Sequence, residues 1–127
     1  MSLKVRKKIL LVDDSPTVLL MERVLLESGP YELLNASNGD EAIRVALAER
    51  PALILMDVVM PGMDGFEACR RLRAEESMRT TPIILLTTRG GSEHMERGYE
   101  SGCSDYLTKP VNGTELWLKV QYFLGSA

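Results

Sequence analysis

The feature that most constrains this chain is an alternation of two periodicities. Five β-rich runs, at 8–12, Tyr31–Ala36, 53–56, Ile83–Thr87 and 105–107, are each followed by a stretch with helical spacing. Three of the runs (KILLV, LILM and IILLT) are nearly continuous in apolar residues. Such runs suit strands covered on both faces, as in a parallel sheet, and parallel neighbours need a crossover that a helix supplies. The pattern predicts an α/β chain with one open, doubly wound, five-stranded parallel sheet and five helices on its two faces. Right-handed crossovers then place any ligand beyond the carboxyl ends of the strands.

The helices carry their own punctuation. Ser15 can cap the first, with Pro16 in the first turn, and Gly29-Pro30 stops it. Asn38 can cap a helix over Gly39–Glu49 that ends before Pro51, and Asp64 one that runs through Phe66, Cys69 and Leu72. Ser92 opens a short fourth helix with Met95 and Tyr99. The last begins near Asn112 and repeats Leu116, Val120 and Leu124 at a spacing of four, one helical face. On the first helix, Val18, Met21 and Leu25 are expected to face the sheet, which leaves Leu19, Leu20 and Val24 as surplus apolar residues. The fourth is weakly encoded, since Gly90-Gly91 precede it and Gly98 lies inside it; low local stability there suits a segment that rearranges.

Charge and composition remove whole classes of function. The net charge of −3 and a sequence pI near 5.2 speak against nucleic acid as the main partner. No apolar run reaches the roughly 18 residues of a membrane span, and the first residues lack the apolar stretch of a signal peptide. The two cysteines, Cys69 and Cys103, are expected to be reduced and buried, which fits a cytoplasmic protein. A chain of 127 residues with this balance suits one domain over 1–127, its core about 8–124. His94, the lone histidine, reads as solvated, the methionines as core and loop filler, and Lys4, Arg6, Lys7 and Lys8 as a solvated N-terminal tail.

Chemistry-bearing residues gather where that topology puts ligands. The first strand ends in Asp13-Asp14, the third in Asp57 and the fourth in Thr87-Thr88, and the fifth leads to Lys109-Pro110. In a parallel sheet these meet at one edge. Two carboxylates about 4 Å apart repel by roughly 4 kcal/mol at an effective dielectric of 20, so a third calls for a proton or a cation. An all-oxygen, partly filled ligand set suits Mg²⁺. A threonine hydroxyl and a lysine ammonium beside it can hold phosphoryl oxygens. The set describes phosphoryl transfer onto an aspartate.

Four segments carry a family resemblance: ILLVDDS (9–15), LILMDVVMPGMDG (53–65), PIILLTT (82–88) and SGCSDYLTKP (101–110). In this order and spacing they resemble the receiver domains of two-component response regulators, a chemotaxis-regulator-like pattern over almost the whole chain. The resemblance implies a flavodoxin-like fold with strand order 2-1-3-4-5, an order cited for this family as a standard example rather than derived from the sequence. It implies that Asp57 accepts a phosphoryl group from phosphohistidine on a sensor histidine kinase or phosphotransfer protein. Asp14, Asp57 and the backbone carbonyl of Val59 would hold Mg²⁺, with Asp13 assisting through water. Thr87 and Lys109 would take the phosphoryl oxygens, and the Tyr106 ring would swing inward as Thr87 moves. The Lys109-Pro110 bond would be cis. The signal would leave through the fourth-helix, fifth-strand and fifth-helix surface to a downstream protein or output domain, and the donor would dock on the first helix. No direct nucleic-acid or membrane contact is implied, and the oligomeric state stays open, a phosphorylation-dependent dimer included.

Three residues depart from the usual pattern. Thr88 is larger than the residue most members carry there, Arg89 offers an additional cation, and Val59 is apolar where many members are polar. Together they lead us to expect a phosphorylated state that is not unusually short-lived. An aspartate-nucleophile phosphatase would need an acid two residues after Asp57, where Val59 stands. A flavodoxin-like cofactor binder would want a phosphate-cradling loop in place of Asp13-Asp14. A phosphorylation-independent interaction module on the same fold is the remaining alternative.

Overall fold

A computed structural model describes residues 6–88 and 92–125, with the backbone alone for 92–94. The chain runs β1 (Lys7–Val12), α1 (Pro16–Leu26), β2 (Tyr31–Ala36), α2 (Gly39–Glu49), β3 (Leu53–Asp57), α3 (Gly65–Ala74), a 3-10 turn (Glu76–Met78), β4 (Ile83–Thr87), α4 (Ser92–Glu100), β5 (Asp105–Thr108) and α5 (Gly113–Leu124). The strands form one sheet in the order β2-β1-β3-β4-β5, and every pair is parallel. This is the α/β architecture and strand order anticipated above.

The two-residue period of the strands sorts the core into two layers. Ile9, Leu11, Leu53, Leu55, Ile84 and Leu86 pack with Leu26 of α1 and with Leu116, Val120 and Leu124 of α5. The alternate residues Leu10, Val12, Ile54, Met56, Ile83 and Leu85 pack with Ala42 and Ala46 of α2 and Phe66, Cys69 and Leu72 of α3. Strand residues 53–57 and 83–87 are all buried, which explains why their sequences do not alternate.

The caps lie where the sequence places them. The side chains of Ser15, Asn38, Asp64 and Asn112 accept hydrogen bonds from the backbone N–H of Val18, Glu41, Glu67 and Glu115, at 3.3, 2.8, 2.9 and 3.0 Å. Each satisfies an N–H that the first helical turn would otherwise leave unpaired. Gly98 has a packing reason: a Cβ there would stand 3.2 Å from the Tyr106 ring and 3.3 Å from the Cys103 sulfur. Its absence lets α4 lie close on β5. Arg97 of α4 sits over the Phe66 ring at 4.6 Å and ties α4 to α3.

Two expectations are corrected. Lys7 and Lys8 are not a solvated tail; they open β1, where Lys7 Nζ donates to the Leu124 carbonyl (2.6 Å) and Lys8 pairs with Glu49 (2.9 Å). The buried face of α1 differs in part from the one expected: Leu25 packs on the α5-side core as anticipated and Val18 is half-buried. Met21 is 43 % exposed, whereas Leu19 packs on the α5-side core and Glu22 and Leu26 are buried. Leu20 and Val24 are exposed, as anticipated. The inward side thus takes in 19, 22, 25 and 26, and of the three residues expected there Met21 alone is exposed. Arg89, Gly90, Gly91, Lys4 and the His94 side chain lie outside the described residues.

Candidate functional site

β1, β3, β4 and β5 deliver their last residues to one edge. Asp13 follows β1 directly, and its N–H donates to the Ala36 carbonyl (3.1 Å). Its Oδ1 accepts from the Ser15 N–H (2.9 Å), so the turn into α1 fixes the carboxylate. Asp57 ends β3, and the Val59 N–H donates back to its carboxylate. The following loop returns tightly: Gly65 N–H donates to the Val58 carbonyl (2.8 Å), and a Cβ on Gly65 would stand 2.8 Å from Val58 Cα. A side chain at Gly65 would push α3 off the loop that holds Asp57. Gly62, at φ +76°, makes the turn before it.

Carboxylate oxygens of Asp13, Asp14 and Asp57 lie within 4.8 Å of one another, Asp13 and Asp57 buried and Asp14 exposed. Lys109 reaches in from the other side. Its Nζ stands 3.0 Å from Asp13 Oδ2 and 3.2 Å from Asp57 Oδ1, bridging the two buried acids. The Lys109 N–H donates to the Thr87 carbonyl (2.7 Å), and the Lys109-Pro110 bond is cis, as expected.

The electrostatics are those of a site with too much negative charge. Burial, followed by the charge of Asp13, pushes the Asp57 carboxyl above its usual range; Lys109 and the Val59 N–H pull the other way. For Lys109, burial disfavours the ammonium, but its hydrogen bond to Asp13 and the charge of Asp57 outweigh that and raise its pKa. One ammonium facing three carboxylates leaves negative charge to be offset. A small, hard cation with oxygen ligands fits this donor set.

Thr87, buried at the end of β4, shares a side-chain hydrogen bond with Tyr106. The Tyr106 ring is 7 % exposed and packs among the core residues on the α3 side. The structure thus brings Asp13, Asp14, Asp57, Thr87, Lys109 and the Val59 backbone to one place, with Tyr106 attached through Thr87. The Val59 side chain is 67 % exposed and Thr88 is also exposed, both at the rim. Cys69 and Cys103 are free and buried; burial raises both thiols, Cys103 to about 12, so neither is a nucleophile at neutral pH.

The sequence reading missed Glu22. This α1 residue is 1 % exposed, and its Oε1 is buried without a hydrogen-bond partner. Burial first, then the charges of Asp13 and Asp57, push its carboxyl up to about 8, with Lys109 opposing. The available signal was an acid at the centre of a stripe of Leu19 and Leu26, a pattern more easily read as marking the wet face.

Residues 9–121 match the family model described as "Response regulator receiver domain". The chain is 42 % identical over 120 residues to the transcriptional regulatory protein ResD of Bacillus subtilis (strain 168), covering 94 % of this chain and 49 % of that protein. It is 40 % identical over 105 residues to the protein PilH of Pseudomonas aeruginosa, covering 83 % of this chain and 87 % of PilH. It thus spans about half of ResD but most of PilH. Among solved structures, the chemotaxis protein CheY4 of Vibrio cholerae superposes with a TM-score of 0.89 at 35 % identity, over 94 % of this chain and all (100 %) of that one. The receiver domain of sensor histidine kinase PA1611 from Pseudomonas aeruginosa, solved with a magnesium ion coordinated in its active-site cleft, superposes with a TM-score of 0.87 at 36 % identity, over 96 % of this chain and 100 % of that one. Among the described residues, no helix is long and apolar enough to cross a membrane. An acidic triad bridged by a lysine at the carboxyl edge of a 2-1-3-4-5 sheet, together with a family match over most of the chain, places this protein among the receiver domains of two-component response regulators.

Proposed function

We propose that this chain, as a single receiver unit, is a phosphoacceptor switch in which Asp57 takes a phosphoryl group from a phosphohistidine on a sensor histidine kinase or phosphotransfer protein. The observation that carries the reading is the Lys109 bridge to Asp13 and Asp57 within the carboxylate triad. A carboxylate attacks phosphorus only where incoming negative charge is offset, and the site supplies one fixed cation beside the attacking group. Asp13, Asp14, Asp57 and the Val59 carbonyl would hold Mg²⁺, which when bound neutralises phosphoryl charge.

The chain's own groups do the rest. An Asp57 Oδ would attack phosphorus as the P–N bond to the donor's imidazole breaks and the imidazole leaves, with the carboxylate steadied by the Val59 N–H. Lys109 exchanges a carboxylate for a phosphoryl oxygen, and the Thr87 hydroxyl donates to another. That draws on the hydrogen bond Thr87 shares with Tyr106, so a change at the phosphoryl site reaches β5 directly. The α4–β5–α5 surface would be the one altered, and its reader a downstream protein or output domain. The exposed Leu20, Met21 and Val24 of α1 would offer the apolar residues on which the donor docks. The exposed side chains of Val59 and Thr88 would narrow the approach of hydrolytic water, giving a phosphorylated state that is not unusually short-lived. Self-phosphorylation from small acyl phosphates and self-dephosphorylation would be the only catalysis.

The test is intact-protein mass after incubation with acetyl phosphate, with and without Mg²⁺, beside Asp57→Asn. One added phosphoryl group that needs Mg²⁺ and disappears in the variant is the expected result. No gain in the wild-type chain would overturn the reading in favour of a phosphorylation-independent interaction module.

A further inference from the structure

α4 is anchored at its C-terminal end by a side chain of α3. The Arg73 guanidinium donates to the Gly102 carbonyl (2.8 Å) and the Ser104 hydroxyl (3.2 Å), and its Nη1 donates to the Met78 and Thr81 carbonyls (2.6 Å each). Ser104 Oγ in turn accepts from the Ile83 N–H at 3.0 Å, so the turn after α4 is fixed to both α3 and β4. Gly102, at φ +97°, lies against the Arg73 stem, where a Cβ would stand 2.8 Å from Arg73 Cγ. A helix pinned at one end rearranges by turning about that end.

The body of α4 rests on two aromatic rings. Gly98 lies close on Tyr106, and Arg97, one residue earlier, places its guanidinium carbon 4.6 Å from the centroid of the Phe66 ring. Both rings are buried in the α3-side core, whereas Arg97 is exposed. Each ring leads to the acidic site by its own path. Tyr106 shares a hydrogen bond with Thr87. Phe66 stands in the first turn of α3 directly after Gly65, whose N–H donates to the Val58 carbonyl at 2.8 Å, and Val58 follows Asp57.

We propose that the Arg97–Phe66 contact is a latch: it holds the body of α4 against α3 in the unphosphorylated chain, and the form that phosphorylation favours is reached by releasing it. The trigger rests on the phosphoacceptor reading of Asp57; the hold on α4 is a property of the resting chain. The contact suits a latch because it is small. A cation over an aromatic face at an exposed position biases an equilibrium by about two- to fivefold. That keeps α4 seated, yet a change at Asp57 can overcome it.

The experiment compares wild type, Arg97→Met, Phe66→Leu and the double variant; methionine keeps an unbranched stem and removes the charge. Two quantities are read: amide hydrogen exchange of residues 95–100 in the resting protein, and the rate of phosphorylation by acetyl phosphate with Mg²⁺. Arg97→Met is expected to speed exchange of those amides by about two- to fivefold. Its phosphorylation rate should rise by a similar factor, since the reacting form no longer has to release the contact. In the Phe66→Leu background Arg97→Met should change neither quantity, because the charge acts through the ring. Exchange in Arg97→Met equal to wild type overturns the inference. So does the same acceleration with and without the Phe66 ring, which would place the effect of the charge elsewhere. Faster exchange with an unchanged or slower phosphorylation rate overturns the latch and leaves Arg97 a stabiliser of α4. A wild-type chain that gains no Asp57-dependent phosphoryl group overturns the phosphoacceptor reading and the trigger with it, while the exchange comparison still decides whether the contact holds α4.

Discussion

α1 and α3 both start at the edge that holds the acidic site and both bury apolar residues, yet they differ in what else they bury and expose. α3 buries Phe66, Ala68, Cys69 and Leu72 and turns Glu67, Arg70 and Arg71 outward, where they pair at 2.7 and 3.3 Å. α1 buries a carboxyl, Glu22, and turns Leu20, Met21 and Val24 outward. The first arrangement is what burial of apolar surface alone would select. The second gives up stability twice, once for the buried acid and once for the exposed apolar face. The difference separates a helix shaped by the fold from one shaped by what it meets.

The comparison is broken most directly by truncating one apolar residue on each helix. Phe66→Ala or Leu72→Ala should cost about 2–5 kcal/mol by chemical denaturation, since each leaves a cavity in the α3-side core. Leu20→Ala and Val24→Ala should stay within about 0.5 kcal/mol of wild type. They should nevertheless slow phosphoryl transfer from a phosphohistidine protein while leaving acetyl phosphate unaffected. Equal loss with both donors would remove α1 from donor docking, and a large loss of stability would mean that the exposed face is packed in solution.

Glu22 sharpens the same contrast through pH. Its carboxyl ionises near 4.5 in the unfolded chain and only near 8 in the folded one. Between those values the native state binds more protons than the unfolded state, so the stability contribution is fully present below pH 4.5 and is lost as pH rises toward 8. The gap between Glu22→Gln and wild type should therefore widen across that window, reaching about 1–3 kcal/mol at its upper end, the usual cost of a buried unpaired polar group. Denaturant midpoints of the two proteins at pH 5, 6, 7 and 8 would read it. Parallel curves would show that Glu22 is already ionised or already paired.

The legibility of the sequence follows the same division. Where burial and local hydrogen bonding decide, residues speak for themselves: the continuous apolar strands, the four caps and the inward faces of α3 and α5 lie where the pattern puts them. The members of the acidic site were readable because each stands at the end of a strand, and parallel topology brings strand ends together. α1 was read only in part: Leu25 packs inward as the stripe requires, but Met21 is exposed and Glu22, an acid the pattern marks as wet, is buried. No local rule places a carboxylate on the core side of an amphipathic helix, so the pattern could not show that Glu22 is buried. Gly98 was read as a weakness of α4 for a similar reason, since its benefit, close approach to Tyr106 and Cys103, is a contact with another element.

The smallest predicted difference between the two helices lies at their caps. Asp64 accepts from the Glu67 N–H at 2.9 Å and also places a negative charge at the positive end of α3. Ser15 accepts from the Val18 N–H at a longer 3.3 Å, carries no charge, and precedes Pro16, which removes one of the N–H groups the first turn must satisfy. Asp64→Ala should cost about 1 kcal/mol and Ser15→Ala about half of that. Thermal midpoints of the two variants would separate the cases. A Ser15→Ala cost equal to or above that of Asp64→Ala would mean that Ser15 does more than cap α1. The place to look would then be its backbone N–H bond to Asp13 Oδ1, through which a frayed first turn would release the carboxylate that Lys109 holds.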